Sequence, residues 1–137
     1  TKSRPTGAGF DANAGKMGIE RWSSGDSPII NGKIFQTFDL PKGNYQIEVQ
    51  MATVIPDRDT YFVVAAGTDL PDDTQIGTEI ASKPITPDFN NALLSMPFSI
   101  ATDQKVSAGF LLNFDQGVQK VLQAASIKMY RIETLFD

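Results

Sequence analysis

Apolar and polar residues alternate along much of the chain with a period of two, the pattern of half-buried β-strands. The clearest case is residues 45–51, where Tyr, Ile, Val and Met alternate with Gln and Glu. Residues 106–114 repeat the alternation, and residues 94–100 show a shorter form of it. Because β-branched and aromatic residues fill these runs and the helical period of 3.6 is rare, the sequence predicts an all-β domain.

A turn signal divides residues 34–54 into two predicted strands. The tetrapeptide Leu40-Pro41-Lys42-Gly43 has proline at the second turn position and glycine at the fourth, as a type I turn favours. We therefore expect an antiparallel hairpin whose register is fixed by this turn.

Other segments complete the predicted sandwich. Further strands are expected at residues 19–22, 29–40, 61–66, 79–85 and 121–132. The apolar run 61–66 predicts a central strand covered on both faces. Pro84 and Pro97 lack an amide hydrogen, which predicts edge strands or a bulge, and Asn31-Gly32 predicts a bulge or turn. Residues 1–18 are expected to form a linker or a strap, and residues 19–137 a single β-sandwich domain.

Composition narrows the possible functions. The chain has 137 residues and a net charge of −4. It lacks a cluster of Lys and Arg, so nucleic-acid binding is not expected. It contains no histidine and no cysteine, which excludes Ser-His-Asp catalysis, thiolate nucleophiles and His- or Cys-bound metals. No apolar run approaches the roughly 18 residues of a membrane span. Because the chain begins with Thr1 rather than methionine, we expect a processed or excised piece.

Loop parity predicts where a binding site would lie, because consecutive antiparallel strands reverse direction and alternate loops share an end. If residues 79–85 form a strand, one end, here named the loop end, holds residues 22–32, 55–60, 86–93 and 115–120. The opposite end, named the turn end, holds residues 41–44, 102–105 and the stretch after Gly67. The loop end gathers aromatic, carboxylate and amide side chains, namely Trp22, Asp26, Asp57, Arg58, Asp59, Phe89, Asn90, Asn91, Asp115 and Gln116. Such side chains stack on sugar rings and bond to their hydroxyls.

The segment NGKIFQTFDLPKGNYQIEVQ resembles the pattern of galactose-binding-like jelly rolls, particularly uncharacterised C-terminal domains of Bacteroidetes surface lipoproteins. The resemblance covers residues 31–54 and extends to the closing ASIKMYRI strand. It implies a jelly-roll sandwich in an extracellular or cell-surface protein, with carbohydrate bound in end loops or on a concave face. Many such domains carry a structural calcium ion. The matching positions build the fold and carry over no binding residue; they are Ile34, Gln36, Leu40, Pro41, Gly43 and Tyr45.

The candidate residues also have plainer interpretations. Trp22 is the natural stacking platform, but a single tryptophan beside a first strand is at least as often a core residue. The Asp57-Arg58-Asp59 loop tip suits calcium or a sugar, although acidic loop tips are usually solvated turns. The second acidic group, Asp69, Asp72 and Asp73, lacks EF-hand spacing and is expected to be solvated.

The sequence thus predicts a non-catalytic carbohydrate-binding module of a secreted or cell-surface protein. The predicted ligand-binding residues are Trp22, Asp57, Arg58, Asp59, Asn90, Asn91 and Asp115. Affinity would be weak and raised by multivalent attachment. Sixteen acidic residues would allow a glycosidase pair, but without an obvious deep cleft we do not expect an enzyme. The alternative is a structural spacer or protein-interaction domain that contacts neighbouring domains of a surface lipoprotein. Beyond structural calcium, no cofactor is expected.

Overall fold

The structure, a computed structural model, describes residues 9–11, 17–21, 28–117 and 119–132. Nine β-strands form most of it: β1 Gly9–Asp11, β2 Met17–Arg21, β3 Ile29–Leu40, β4 Gly43–Ile55, β5 Arg58–Ala66, β6 Ala81–Pro84, β7 Leu93–Ile100, β8 Gln104–Phe114 and β9 Lys120–Ile132. Two single 3-10 turns occur at Asp73–Gln75 and Pro87–Phe89. Among these described residues, no helix has the length and apolarity that a membrane crossing requires.

The strands form two antiparallel sheets packed face to face, which confirms the predicted all-β sandwich. One sheet has the order β1-β2-β9-β4-β7 and the other β3-β8-β5-β6. Apart from the β1–β2 and β5–β6 pairs, each strand is followed in sequence by a strand of the opposite sheet. The orders β2-β9-β4-β7 and β3-β8-β5-β6 that result are those of a jelly roll, a double-sheet fold of eight strands.

The predicted hairpin over residues 34–54 is wrong. Strand β3 pairs with β8, whereas β4 pairs with β7 and β9 in the other sheet. Pro41 and Lys42 therefore form an arch that carries the chain across the core. The Tyr45 hydroxyl donates a hydrogen bond of 2.5 Å to the Pro41 carbonyl, and the Lys42 amide donates one of 2.8 Å to Asp103. The turn signal marked a reversal of direction correctly, but reversal alone does not decide which strands pair.

The main core lies between the sheets, and the inward residues of β4 and β8 form its centre. Phe62 and Phe110 pack edge to face with their ring centroids 5.1 Å apart, and Tyr45 stacks on Phe98 at 5.2 Å. The four phenylalanines that alternation assigns to the core are all buried, namely Phe62, Phe98, Phe110 and Phe114. Phe89 is half-buried and packs against the same core.

The connection from β5 to β6 covers the outer face of the smaller sheet. Leu70 is buried there against Val63, Ala65 and Leu111, with Ile76 packed alongside. This cover explains why β5 is buried on both faces, as the continuous apolar run predicts. The connection begins at the turn end, where the Gly67 amide donates to the Lys105 carbonyl. The expectation that it stays at that end is wrong, because it crosses the sheet and reaches the loop end.

Several local predictions are confirmed. The β6 strand, which ends at Pro84, and the β7 strand, which contains Pro97, are both sheet edges. The β3–β8 register shifts between Ile29 and Gly32, which places the irregularity at the predicted Asn31-Gly32 position. The expectation of a linker or strap over residues 1–18 stays a prediction: the described residues of this segment form β1 and the first two residues of β2, and the others lie outside the described residues.

Candidate functional site

The described part of the loop end brings together four segments that are far apart in the sequence. They are the start of β3, the junction of β4 and β5, and the connections from β6 to β7 and from β8 to β9. The expected sharing of one end by these loops required a strand within residues 79–85, and residues 81–84 do form one. The side-chain contacts agree with this arrangement, since Asp57 and Arg58 bond to residues of the β8–β9 connection. Parity therefore placed these loops correctly even though the hairpin did not form.

Arg58 is the centre of the loop end. Its guanidinium binds Asp115 through two parallel hydrogen bonds, from Nε at 2.8 Å and from Nη2 at 2.7 Å. Its Nη1 atom also contacts Asp73 at 2.9 Å and Asp59 at 3.1 Å. Two-pronged bonding of this kind fixes both distance and orientation. One cation thus ties together the connections β4–β5, β5–β6 and β8–β9.

These contacts shift the pKa values of Asp115 and Arg58. The hydrogen bond from Arg58, together with its charge, holds the pKa of Asp115 below its ordinary value. The bonds to Asp115 and then to Asp73 raise the pKa of Arg58. Arg58 and Asp115 are therefore charged at neutral pH, and the Arg58 side chain is still 27% exposed. The arrangement is an ion-pair network at the surface of the domain rather than a buried charge.

Asp57 and Asn113 fix the backbone around this network. One Asp57 oxygen accepts the amide hydrogens of Gln116 at 2.7 Å and Gly117 at 3.0 Å. The fully buried Asn113 donates from Nδ2 to the Asp59 carbonyl at 3.0 Å and accepts from the Asn31 amide at 2.8 Å. These bonds satisfy loop amides and carbonyls that regular strand pairing leaves open. The backbone of the loop end is therefore held by side chains.

Asn90 and Asn91 lie beside β4 in the connection that follows β6. Asn90 accepts the Val54 amide hydrogen through Oδ1 at 2.9 Å, and the Asn91 amide donates to the Ala52 carbonyl at 2.8 Å. Both residues are exposed. The structure thus assigns Asn90 a structural bond, while the Asn91 side chain lies at the surface.

The loop end also contains all four described non-glycine residues that have a positive φ. They are Asn31 at 50°, Asp59 at 41°, Asn91 at 54° and Gln119 at 59°. Asn and Asp tolerate this left-handed region better than most residues, whereas for Gln119 it is costly. Asn31 and Asp59 lie near the starts of β3 and β5, and Asn91 and Gln119 lie in the connections that follow β6 and β8.

Trp22 and Asp26 lie outside the described residues. Arg21, which precedes Trp22 in the sequence, is buried, and its guanidinium donates to the Gly117 carbonyl at 2.6 Å. The last residue of β2 is thus anchored to the loop end.

Sequence reasoning missed three residues of the loop end: Asp73, Asn31 and Asn113. Asp73 was expected to be solvated, but its side chain is 13% exposed and bound to Arg58. Its amide also donates to Asn31 Oδ1 at 2.8 Å. The signal for Asp73 was Leu70 and Ile76, two apolar residues in an otherwise polar loop that indicate packing on the sheet.

Calcium does not fit the described acidic residues. Asp59, Asp73 and Asp115 surround a guanidinium, whose positive charge would repel a cation, and Asp57 already accepts two amide hydrogens through one oxygen. Among the residues that the structure describes, no three acidic side chains form a group able to hold a metal ion. The calcium that the resemblance implies therefore has no site on Asp57 and Asp59.

Comparison with known proteins identifies a family. The model of a family described as a domain of unknown function, DUF5013, matches residues 1–109, most of the chain. No curated protein matches, and no solved structure matches.

Proposed function

We propose that this chain, which belongs to the DUF5013 family, is a non-catalytic carbohydrate-binding module with a galactose-binding-like fold. The proposal places it in a secreted or cell-surface protein, with the ligand at the loop end. One observation carries the proposal: all four described non-glycine residues with a left-handed backbone lie at this end, two near the starts of β3 and β5 and two in connections. Strain of this kind costs about 1–3 kcal/mol per residue and clusters at functional sites.

The contacts divide the predicted site residues into two groups. Arg58, Asp115 and Asn90 hold the loops together and leave few free donors for a sugar. Asp59, whose side chain is 49% exposed, and the exposed Asn91 remain available for hydroxyl groups. The first group therefore sets the geometry, and the second supplies contacts.

The chemistry supports weak recognition. Carboxylate and amide groups form directional bonds with sugar hydroxyls, and an aromatic ring such as Trp22 would add stacking on the C–H face. A held backbone lowers the entropy lost on binding. Attachment of several modules to one assembly would raise the overall affinity.

A printed array of plant, fungal and animal glycans, followed by calorimetric titration of the positive glycans, tests this function. We expect Trp22→Ala to weaken binding about tenfold or more, equal to about 1.4 kcal/mol, and Asn91→Gly to weaken it less. Lys42→Ala at the turn end is the matched control and should bind as the unmodified domain does.

Two results would count against the proposal. Complete silence on the array by a folded domain would favour the alternative, a spacer or protein-interaction domain of a surface lipoprotein. Equal binding by Trp22→Ala, Asn91→Gly and the unmodified domain would move the ligand away from the loop end.

A further inference from the structure

A cavity of about 300 Å³ lies between the two sheets on the side of the sandwich, away from the loop-end network. Its walls come from both sheets and are mainly aliphatic and aromatic: Ile34 and Phe38 on β3, Ala108 on β8, Ile47 on β4, and Ile127 and Met129 on β9. Ile47 is fully buried and Ala108 nearly so. The cavity therefore reaches into the core, and we name it the side cavity.

The side cavity has a mouth because two strand edges beside it are unpaired among the described residues. Strand β3 pairs only with β8. Strand β9 pairs with β2 through Lys120–Ala124, and no described strand continues that pairing. Ile127 is 43% exposed at the mouth. Within the described part of the chain, no paired strand closes this mouth.

The polarity of the lining restricts the ligand. None of the described lining residues is charged, and Gln36 is the one amide among them. Gln36 is exposed and lies opposite Ala108 in the β3–β8 register. Its side chain has no hydrogen-bond partner among the described residues. A charged group would lose hydration here without a counter-ion, whereas a hydroxyl or amide would pair with Gln36.

We propose that the side cavity binds a single unbranched alkyl chain that carries an uncharged hydrogen-bonding head group. The chain lies against Ile47 and Ala108, and the head group bonds to the Gln36 amide at the mouth. The volume of about 300 Å³ limits the ligand to one short alkyl chain. Met129 adjusts to the chain, because its flexible thioether fills irregular apolar spaces.

This site is independent of the proposed glycan site. Its lining residues lie on β3, β4, β8 and β9 between the sheets, and none of them takes part in the loop-end contacts, which are made by strand ends and connections. Loss of glycan binding at the loop end would leave binding in the side cavity unchanged, and the reverse also holds.

Titration of the domain with 1-decanol, followed by the NMR signals of its methyl groups, tests the proposal. We expect saturable shifts for Ile34, Ile47, Ile127 and Met129, but not for Ile19 or Val54. Ala108→Leu fills the bottom of the cavity and should weaken binding at least tenfold. Ala101→Leu makes the same substitution at an exposed position outside the cavity and should bind as the unmodified domain does.

Two further variants keep the test decisive if Ala108→Leu fails to fold. Ile127→Lys adds a charge at the mouth and should weaken binding at least tenfold, since Ile127 is exposed and the core is untouched. Gln36→Ala should weaken 1-decanol several-fold. Absence of saturable shifts up to the solubility limit would overturn the proposal. Unchanged affinity in Ile127→Lys and in folded Ala108→Leu would do the same, because the alcohol would then bind elsewhere.

Discussion

Replacement of Gly109 by alanine tests the β3–β8 pairing that replaces the expected hairpin. Gly109 lies in β8 opposite Phe35 of β3 and Val63 of β5. An alanine Cβ at this position would lie 2.0 Å from the Ile34 carbonyl oxygen and 2.5 Å from the Phe35 Cα. Real Cβ atoms stay at least 3.0 Å from such neighbours. Strand β3 would therefore have to move away by about 1 Å.

The expected loss of stability follows from that movement. Overpacking a well-packed interior costs about 1–3 kcal/mol. Weakening two neighbouring inter-strand hydrogen bonds adds about 1 kcal/mol for each. We therefore expect Gly109→Ala to lower the free energy of unfolding by about 3–5 kcal/mol, measured by urea denaturation. At about 3 °C per kcal/mol for a domain of this size, the melting temperature should fall by about 9–15 °C.

Gly117→Ala is the matched control. An alanine Cβ there meets the Lys120 Cε atom at 2.6 Å, which is the far end of a flexible side chain and can move. We expect a change within about 1 kcal/mol. If Gly109→Ala were as mild as Gly117→Ala, β3 would not approach β8 as described, and the arch at Pro41 would lose its support.

Three further predictions concern the contacts of the domain. Arg58→Lys removes the two-pronged bond to Asp115 and should lower the urea midpoint at pH 7. Because the folded-state pKa of Asp115 is lowered, its contribution is present above the unfolded value near 3.8 and is lost as the pH falls through the folded value. The difference between the variant and the unmodified domain should therefore shrink below about pH 4, and equal differences at neutral and acidic pH would contradict the ion pair. A double-mutant cycle of Phe62→Leu and Phe110→Leu should give a coupling of about 0.5–1.5 kcal/mol in urea denaturation, and a coupling near zero would show that the ring contact contributes nothing. Asn90→Ala should cost about 1–2 kcal/mol because a strand amide loses its acceptor. Asn90→Asp should recover most of that stability, and a neutral Asn90→Ala would refute the bond.

Strand positions were predictable because they depend on local alternation. One face of β4 carries Tyr45, Ile47, Val49 and Met51, and all four are buried. The edge positions of β6 and β7 were also predictable, because Pro84 and Pro97 have no amide hydrogen to donate to a neighbouring strand. These properties belong to single residues or to short segments.

Strand pairing was not predictable from the turn. Pro41 and Gly43 favour a reversal of direction, and a hairpin and an arch both reverse direction. The choice depends on the partner of β3, which lies far along the chain: Ile34 faces Phe110, 76 positions away. The jelly-roll expectation itself already opposed the hairpin, since this fold places β3 and β4 in different sheets.

The loop end was predictable because parity needs only the reversal of each strand. That count placed Arg58 near Asp115, a pair separated by 57 positions in the sequence. It did not place Asp73, because parity treats the β5–β6 connection as a local loop at the turn end. Only the packing of Leu70 on the outer face of the sheet brings Asp73 across to Arg58.

The most direct test of the proposed function is an amide chemical-shift titration of the domain with a glycan that is positive on the array. Binding at the loop end predicts saturable shifts at Asp59, Asn91, Gln116 and Gly117, with little change at Lys42 and Gly43. Shifts confined to residues 41–43 and 102–105, or no glycan that produces saturable shifts, would contradict the account.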